Sequence, residues 1–120
     1  MKQSVRACVA YIAARLIMKR DFSHFYDAAQ ARYLVISGRV GARAINVHDF
    51  ARDCRMTGAG ARSRFSLYDH GEAGHLSLLI EGDRFEGYDY DTTCHFRGTV
   101  ERSTVSLYDY GEGRRYSYRL

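Results

Sequence analysis

Five aspartates recur along this chain, Asp27, Asp49, Asp69, Asp89 and Asp109, and the last four are spaced by 20 residues. Repeated carboxylates raise three chemistries. Calcium takes oxygen ligands, but its loops gather several carboxylates within one turn, and here each unit supplies one. The two acids of a glycosidase stand about 5 to 9.5 Å apart in a cleft, a separation neighbouring units can match by spacing alone. Turn capping is the third, because an Asp at a strand end accepts hydrogen bonds from backbone N–H groups just beyond it. Capping is carried forward, since a repeated residue serves the repeat whereas catalytic residues are typically unique.

His48, His70, His75, His95, Cys54 and Cys94 have the donor types of a zinc site. Their spacing argues otherwise. Zinc needs donors at about 2.0 to 2.3 Å, while equivalent positions of successive hairpins lie two strand spacings apart, roughly 9.5 Å. No metal or other cofactor is expected. Nucleophile elbow, phosphate loop, HExxH and dinucleotide fingerprint are all missing from the sequence. Gly58-Ala59-Gly60 has neither the Lys nor the strand-to-helix context of a phosphate loop. No catalytic residue is nominated, and a non-enzymatic role is favoured.

The elements that must position these residues follow from self-similarity. Ser66-Leu67-Tyr68-Asp69 recurs as Ser106-Leu107-Tyr108-Asp109, with Gly87-Tyr88-Asp89-Tyr90 between them, Val47-His48-Asp49-Phe50 before them and Phe25-Tyr26-Asp27 first. Counted from each Asp, positions −4 and −2 are mostly apolar and −3 is polar, the alternation of a half-buried strand. Gly71-Glu72-Ala73-Gly74 and Gly111-Glu112-Gly113 follow as turns that tolerate positive φ. A second alternating segment then begins at +5 or +6. Each unit is expected to be a β-hairpin, five of them over residues 23–120 centred on the five aspartates. Residues 3–20 differ: Val5, Cys8, Val9, Ile12 and Leu16 have helical spacing, with Ala7, Ala10, Ala13 and Ala14 between them. The expected fold is mainly β: a ten-stranded antiparallel meander, either a barrel or a curved sheet, with the N-terminal α-helix packed on or inside it. The alternative is a hairpin solenoid, in which first and last units never meet.

One face of that meander is a core of Ile45, Phe65, Phe85, Val105, Leu67, Leu107, Leu34, Ile36, Met56, Leu76, Leu78 and Phe96. The other is aromatic and basic. Its −1 column is Tyr26, His48, Tyr68, Tyr88 and Tyr108, its +1 column Phe50, His70, Tyr90 and Tyr110, and its +6 column Tyr33, Arg55, His75, His95 and Arg115. Cross-strand aromatic pairs stabilise sheets by about 0.2 to 1 kcal/mol each, which is reason enough for the rows. Ordered rings beside Arg and His also make a stacking platform for sugars, bases or cations. The candidate binding face is Tyr68, Tyr88, Tyr90, Tyr108, Tyr110, His75, His95, Arg55 and Arg115.

The chain has 120 residues with 46% hydrophobic and 27% charged side chains, the balance of one ordinary globular domain spanning 1–120. The net charge of +4 lies on the N-terminal segment, where Lys2, Arg6, Arg15, Lys19 and Arg20 face only Asp21, and the rest is balanced. Those same charges interrupt the one apolar run, so no transmembrane segment is expected. They also leave the start a poor match to a signal peptide. Cys8, Cys54 and Cys94, an odd set without a CxxC pair, are expected to be reduced, which favours the cytoplasm.

Aromatic hairpins recurring about every twenty residues resemble choline-binding repeats in period, and the Tyr-Asp pairs resemble the YD repeats of bacterial toxin shells. The chain contains no Trp, which the first family uses, and has the Gly-Arg-Leu run of the second only as Gly113-Arg114-Arg115. No family is assigned. The leading expectation is a binding or self-assembly module whose Tyr, His and Arg face meets a partner protein, another copy of the chain or a glycan. The alternative is a nucleic-acid-binding protein using the same face with Arg55, Arg97, Arg114 and Arg115. A small hydrolase is third, with no triad to carry it.

Overall fold

The structure, a computed structural model, describes residues 1–120. Helix α1 (Gln3–Met18) is followed by β1 (His24–Asp27), β2 (Arg32–Val40), β3 (Ala44–Asp49), β4 (Cys54–Ala61) and β5 (Arg64–Asp69). Then come β6 (Gly74–Glu81), β7 (Arg84–Asp89), β8 (Cys94–Glu101), β9 (Thr104–Asp109) and β10 (Arg114–Arg119). Every strand pairs antiparallel with its sequence neighbour, and β1 pairs with β10, so the ten-stranded meander closes into a barrel. The curved sheet and the solenoid are both excluded by that seam. It is short, with Tyr26 opposite Arg119 and Asp27 opposite Tyr118, and Phe25 stacks on Tyr118 across it at 5.2 Å.

The helix lies inside the barrel. Cys8, Val9, Ala10, Tyr11, Ile12, Ala13 and Ala14 are all fully buried. A helix that is apolar all round is a buried one, and alanine on the sides away from the Val5-Ile12 stripe keeps it slim enough for the lumen. Sixteen residues at 1.5 Å each make about 24 Å, close to the height of a wall whose longer strands have eight or nine residues. The helix ends two residues earlier than the spacing suggests. Lys19 adopts a left-handed conformation, φ 54°, and its N–H caps the Arg15 carbonyl.

The −4, −2, +7 and +9 columns face the lumen as expected, and Ile36, Val47, Met56, Leu67, Val105 and Leu107 are almost completely buried. Rings of Phe85 and Phe96 take the space that Gly98 and Gly87 leave on the inner wall. The turn chemistry departs from expectation. Left-handed residues recur at +4, namely Ala31, Asp53, Ala73, Thr93 and Gly113, so glycine occupies that position in one hairpin only. Gly71 and Gly111 have ordinary φ and answer a different need. A Cβ on Gly71 would meet Cys54 Sγ at 2.7 Å, and one on Gly111 would meet Cys94 Sγ at 3.0 Å.

Burial also redistributes charge. Arg6 and Arg15 enter the barrel with the helix, so the exposed cations are chiefly wall and turn arginines, not the N-terminal segment.

Candidate functional site

The aspartate column points inward at one end of the barrel, continuing the −4, −2 alternation. Asp27, Asp49, Asp69, Asp89 and Asp109 are at most 4% exposed. Each accepts turn N–H bonds: Ala29 and Gln30 donate to Asp27, Ala51 to Asp49, Glu72 to Asp69, Asp91 and Thr92 to Asp89, Gly111 and Glu112 to Asp109. Capping is therefore what this column does. Arg52 adds a bridge, donating to Asp49 at 2.8 Å and to both oxygens of Asp69 at 2.9 Å. Two neighbouring carboxylates thus share one guanidinium. Burial opposes charge on Arg52, yet its bonds to Asp69 and Asp49 outweigh that and raise its pKa further.

The start of α1 reaches into this ring. Arg6 donates to Asp109 Oδ2 at 3.0 Å and lies 3.4 Å over the Tyr116 ring, while the Met1 ammonium is 3.1 Å from the same carboxylate. Burial pushes the Asp109 pKa up, but the bonds from the Met1 ammonium, the Glu112 N–H and Arg6 prevail and hold it below the usual carboxylate range. Two buried polar atoms have no partner, Arg6 Nε and Tyr118 Oη. No three His, Cys, Asp or Glu side chains converge as metal ligands would. Cys8 and Cys94 are buried and Cys54 half-buried, none in a disulfide. Burial raises the Cys8 and Cys54 thiol pKa values, so neither is primed as a nucleophile.

The candidate binding face forms a belt around the outer wall, built as a repeated ring cluster. The −1 rings Tyr68, Tyr88 and Tyr108 are half-buried beneath their +1 and +6 neighbours. Tyr68 meets His70 at 4.8 Å and His75 at 4.7 Å; Tyr88 meets Tyr90 at 4.8 Å and His95 at 4.7 Å; Tyr108 meets Tyr110 at 4.8 Å. Arg115 lies 5.9 Å over Tyr108 and donates to Ser106. Exposure falls on the outer members: Tyr90 is 61% exposed, Phe50 57%, Tyr110 48% and Tyr33 66%. Arg55 stands apart from the tyrosine-rich side, opposite His48 and bonded to Asn46.

The face extends past the nine candidate residues. Arg97, named in the nucleic-acid alternative, lies 5.7 Å over Tyr110, Tyr33 of the +6 column packs on Tyr26 at 4.9 Å, and Arg119, which sequence reasoning left off, lies 4.8 Å over Tyr26. The period-two alternation that puts +6 and +8 outside also puts Arg119 at +10 outside, so its signal lies in the same pattern. Register then joins one row across the wall: Arg64, Leu79, Glu86, Arg97, Tyr108 and Arg115 stand directly opposite one another in turn. Two adjoining depressions of about 530 and 550 Å³ lie along it and share Leu79, Glu86 and Arg97.

The chain defines a class by architecture: a closed ten-stranded antiparallel barrel threaded by its own N-terminal helix. Compared with family models, curated proteins and solved structures, it matches none of them at a significant level. No helix is long and apolar enough to cross a membrane.

Proposed function

We propose that the chain is a non-enzymatic binding and self-assembly module that works through its outer aromatic belt. One observation carries this reading: Tyr33, Phe50, Tyr90 and Tyr110 are each about half or more exposed, on a wall whose ring clusters hold them in fixed poses. Aromatic residues and Arg are the types enriched at protein interfaces. The helix fills the lumen, so recognition falls to the outside, and barrel closure leaves no free strand edge for β-addition. The test uses the exposed members, because the half-buried Tyr68, Tyr88 and Tyr108 also support the wall. Phe50→Ser, Tyr90→Ser and Tyr110→Ser together are expected to convert a concentration-dependent oligomer to a monomer by light scattering, with an unchanged circular dichroism spectrum. A folded triple variant that associates like the parent chain contradicts the reading.

A second reading, nucleic-acid binding by the same face, is favoured by a separate observation. The cross-strand row from Arg64 to Arg115 sets arginines beside tyrosine rings along two depressions. Affinity of that kind falls steeply with salt, whereas aromatic association does not.

A further inference from the structure

We infer that the wall of β5–β10 is a track for single-stranded nucleic acid, with phosphates on Arg64, Arg84, Arg97 and Arg115 and bases on the exposed rings of Tyr90 and Tyr110. This rests on the second reading above and gives it a location. The four arginines belong to one wall, and none of them takes part in an ion pair. No carboxylate therefore competes with phosphate for their guanidinium forks, which match it in a bidentate fashion. Arg115 is steadied by Ser106 at 3.0 Å and by the Tyr108 ring, and Arg97 by the Tyr110 ring. Held side chains lose less freedom on binding than loose ones.

The rings decide between single strand and duplex. Tyr90 and Tyr110, which pack on Tyr88 and Tyr108 and stay exposed, occupy equivalent positions of successive hairpins, two strand spacings or roughly 9.5 Å apart. Stacked bases rise 3.4 Å per step along each strand, so bases seated on both rings must be splayed, which only an unpaired strand permits. A bilayer is a poorer partner. Of the exposed large apolar side chains only Tyr110 lines either depression, too little apolar surface to insert among acyl chains. Glu81, opposite Arg84, and Glu86, opposite Arg97 in the row, are the carboxylates a phosphate chain would have to pass, and Glu86 supplies a variant of opposite sign.

The test is fluorescence anisotropy with labelled oligouridylate and oligothymidylate about fifteen nucleotides long, within the site sizes such grooves take. A duplex of equal length and polyglutamate are the competing probes. Both single strands are expected to bind at low salt, with log K falling against log salt at a slope of about −3 for four phosphate contacts. Arg97→Gln with Arg115→Gln is expected to weaken binding roughly tenfold, the order of a lost hydrogen bond to a charged group, and to make the slope shallower by about 1.4. Glu86→Gln is expected to tighten it. Arg39→Gln with Arg43→Gln, equal in charge but on β2 and the β2–β3 turn away from the track, is expected to bind as the parent does at the same salt. All five positions are exposed, and should the track double variant fail to fold, Glu86→Gln still decides. The inference is overturned by a parent chain that retains neither strand, by a control that loses as much as the track variant, or by duplex or polyglutamate binding as tight as the single strands. A chain that self-associates yet retains no oligonucleotide overturns the track and leaves the belt reading standing.

Discussion

At the residue scale, the five aspartates and their partners hold the end of the barrel where α1 begins. Asp109 carries the clearest consequence. Its carboxyl is held below the usual range, so the unfolded chain takes up a proton first as pH drops. The stability it contributes is complete above the ordinary carboxylate value of about 3.9 and is lost as pH falls through the lower folded value. Urea midpoints measured from about pH 5 down to about pH 2 are expected to decline, with Asp109→Asn removing part of that decline. Tyr118 makes the opposite case. Its hydroxyl is buried with no well-formed hydrogen bond, burial raises its pKa, and the Arg6 side chain beside it only partly offsets that. Tyr118→Phe keeps the stack on Phe25 and is expected to change stability by less than about 1 kcal/mol, read from the urea midpoint. Capping was legible from sequence because Asp stands where each strand ends. The Arg52 bridge was not, since Arg52 is unique to its hairpin and no repeat signal marks it. Left-handed Ala31, Ala73 and Thr93 escaped for a related reason: hairpin geometry imposes positive φ on residues whose type does not announce it.

At the element scale, period two within a unit and period twenty between units gave strands, hairpins and their order. The helix was legible too, by its 3.6 periodicity and by the alanines that line its remaining sides. Its position inside the barrel rather than on it was decided by closure, which depends on how twist accumulates over ten strands and on the short β1–β10 seam, neither written in any local pattern. A helix enclosed on every side has no room for growth. Ala13→Leu, at a fully buried position, is expected to destabilise the chain by about 3 kcal/mol through overpacking. The same change at exposed Ala61 is expected to shift it by less than about 0.5 kcal/mol. Equal shifts in urea melts of the two variants contradict an internal helix.

At the scale of the whole molecule, closure turns a two-faced sheet into an inside and an outside, and this divides the core columns from those proposed to bind. The apolar columns and the aspartates belong to the lumen and its rim; the Tyr, His and Arg columns belong to the wall. Which columns point outward was legible from alternation. Which rings remain accessible was not, because Tyr68, Tyr88 and Tyr108 lose exposure to +1 and +6 neighbours whose contact depends on register and side-chain packing. The surface charge was misplaced for a similar reason, since two N-terminal arginines travel inward with the helix. The most direct test of an outer contact surface around a filled barrel is tyrosine-specific chemical footprinting read by mass spectrometry, in dilute and in concentrated protein. Tyr33, Tyr90 and Tyr110 are expected to react in dilute protein while Tyr11 and Tyr118 do not, and Tyr90 and Tyr110 are expected to become protected as the chain associates. Reaction at Tyr11 or Tyr118 in folded protein, or association without protection of the belt, would contradict the account.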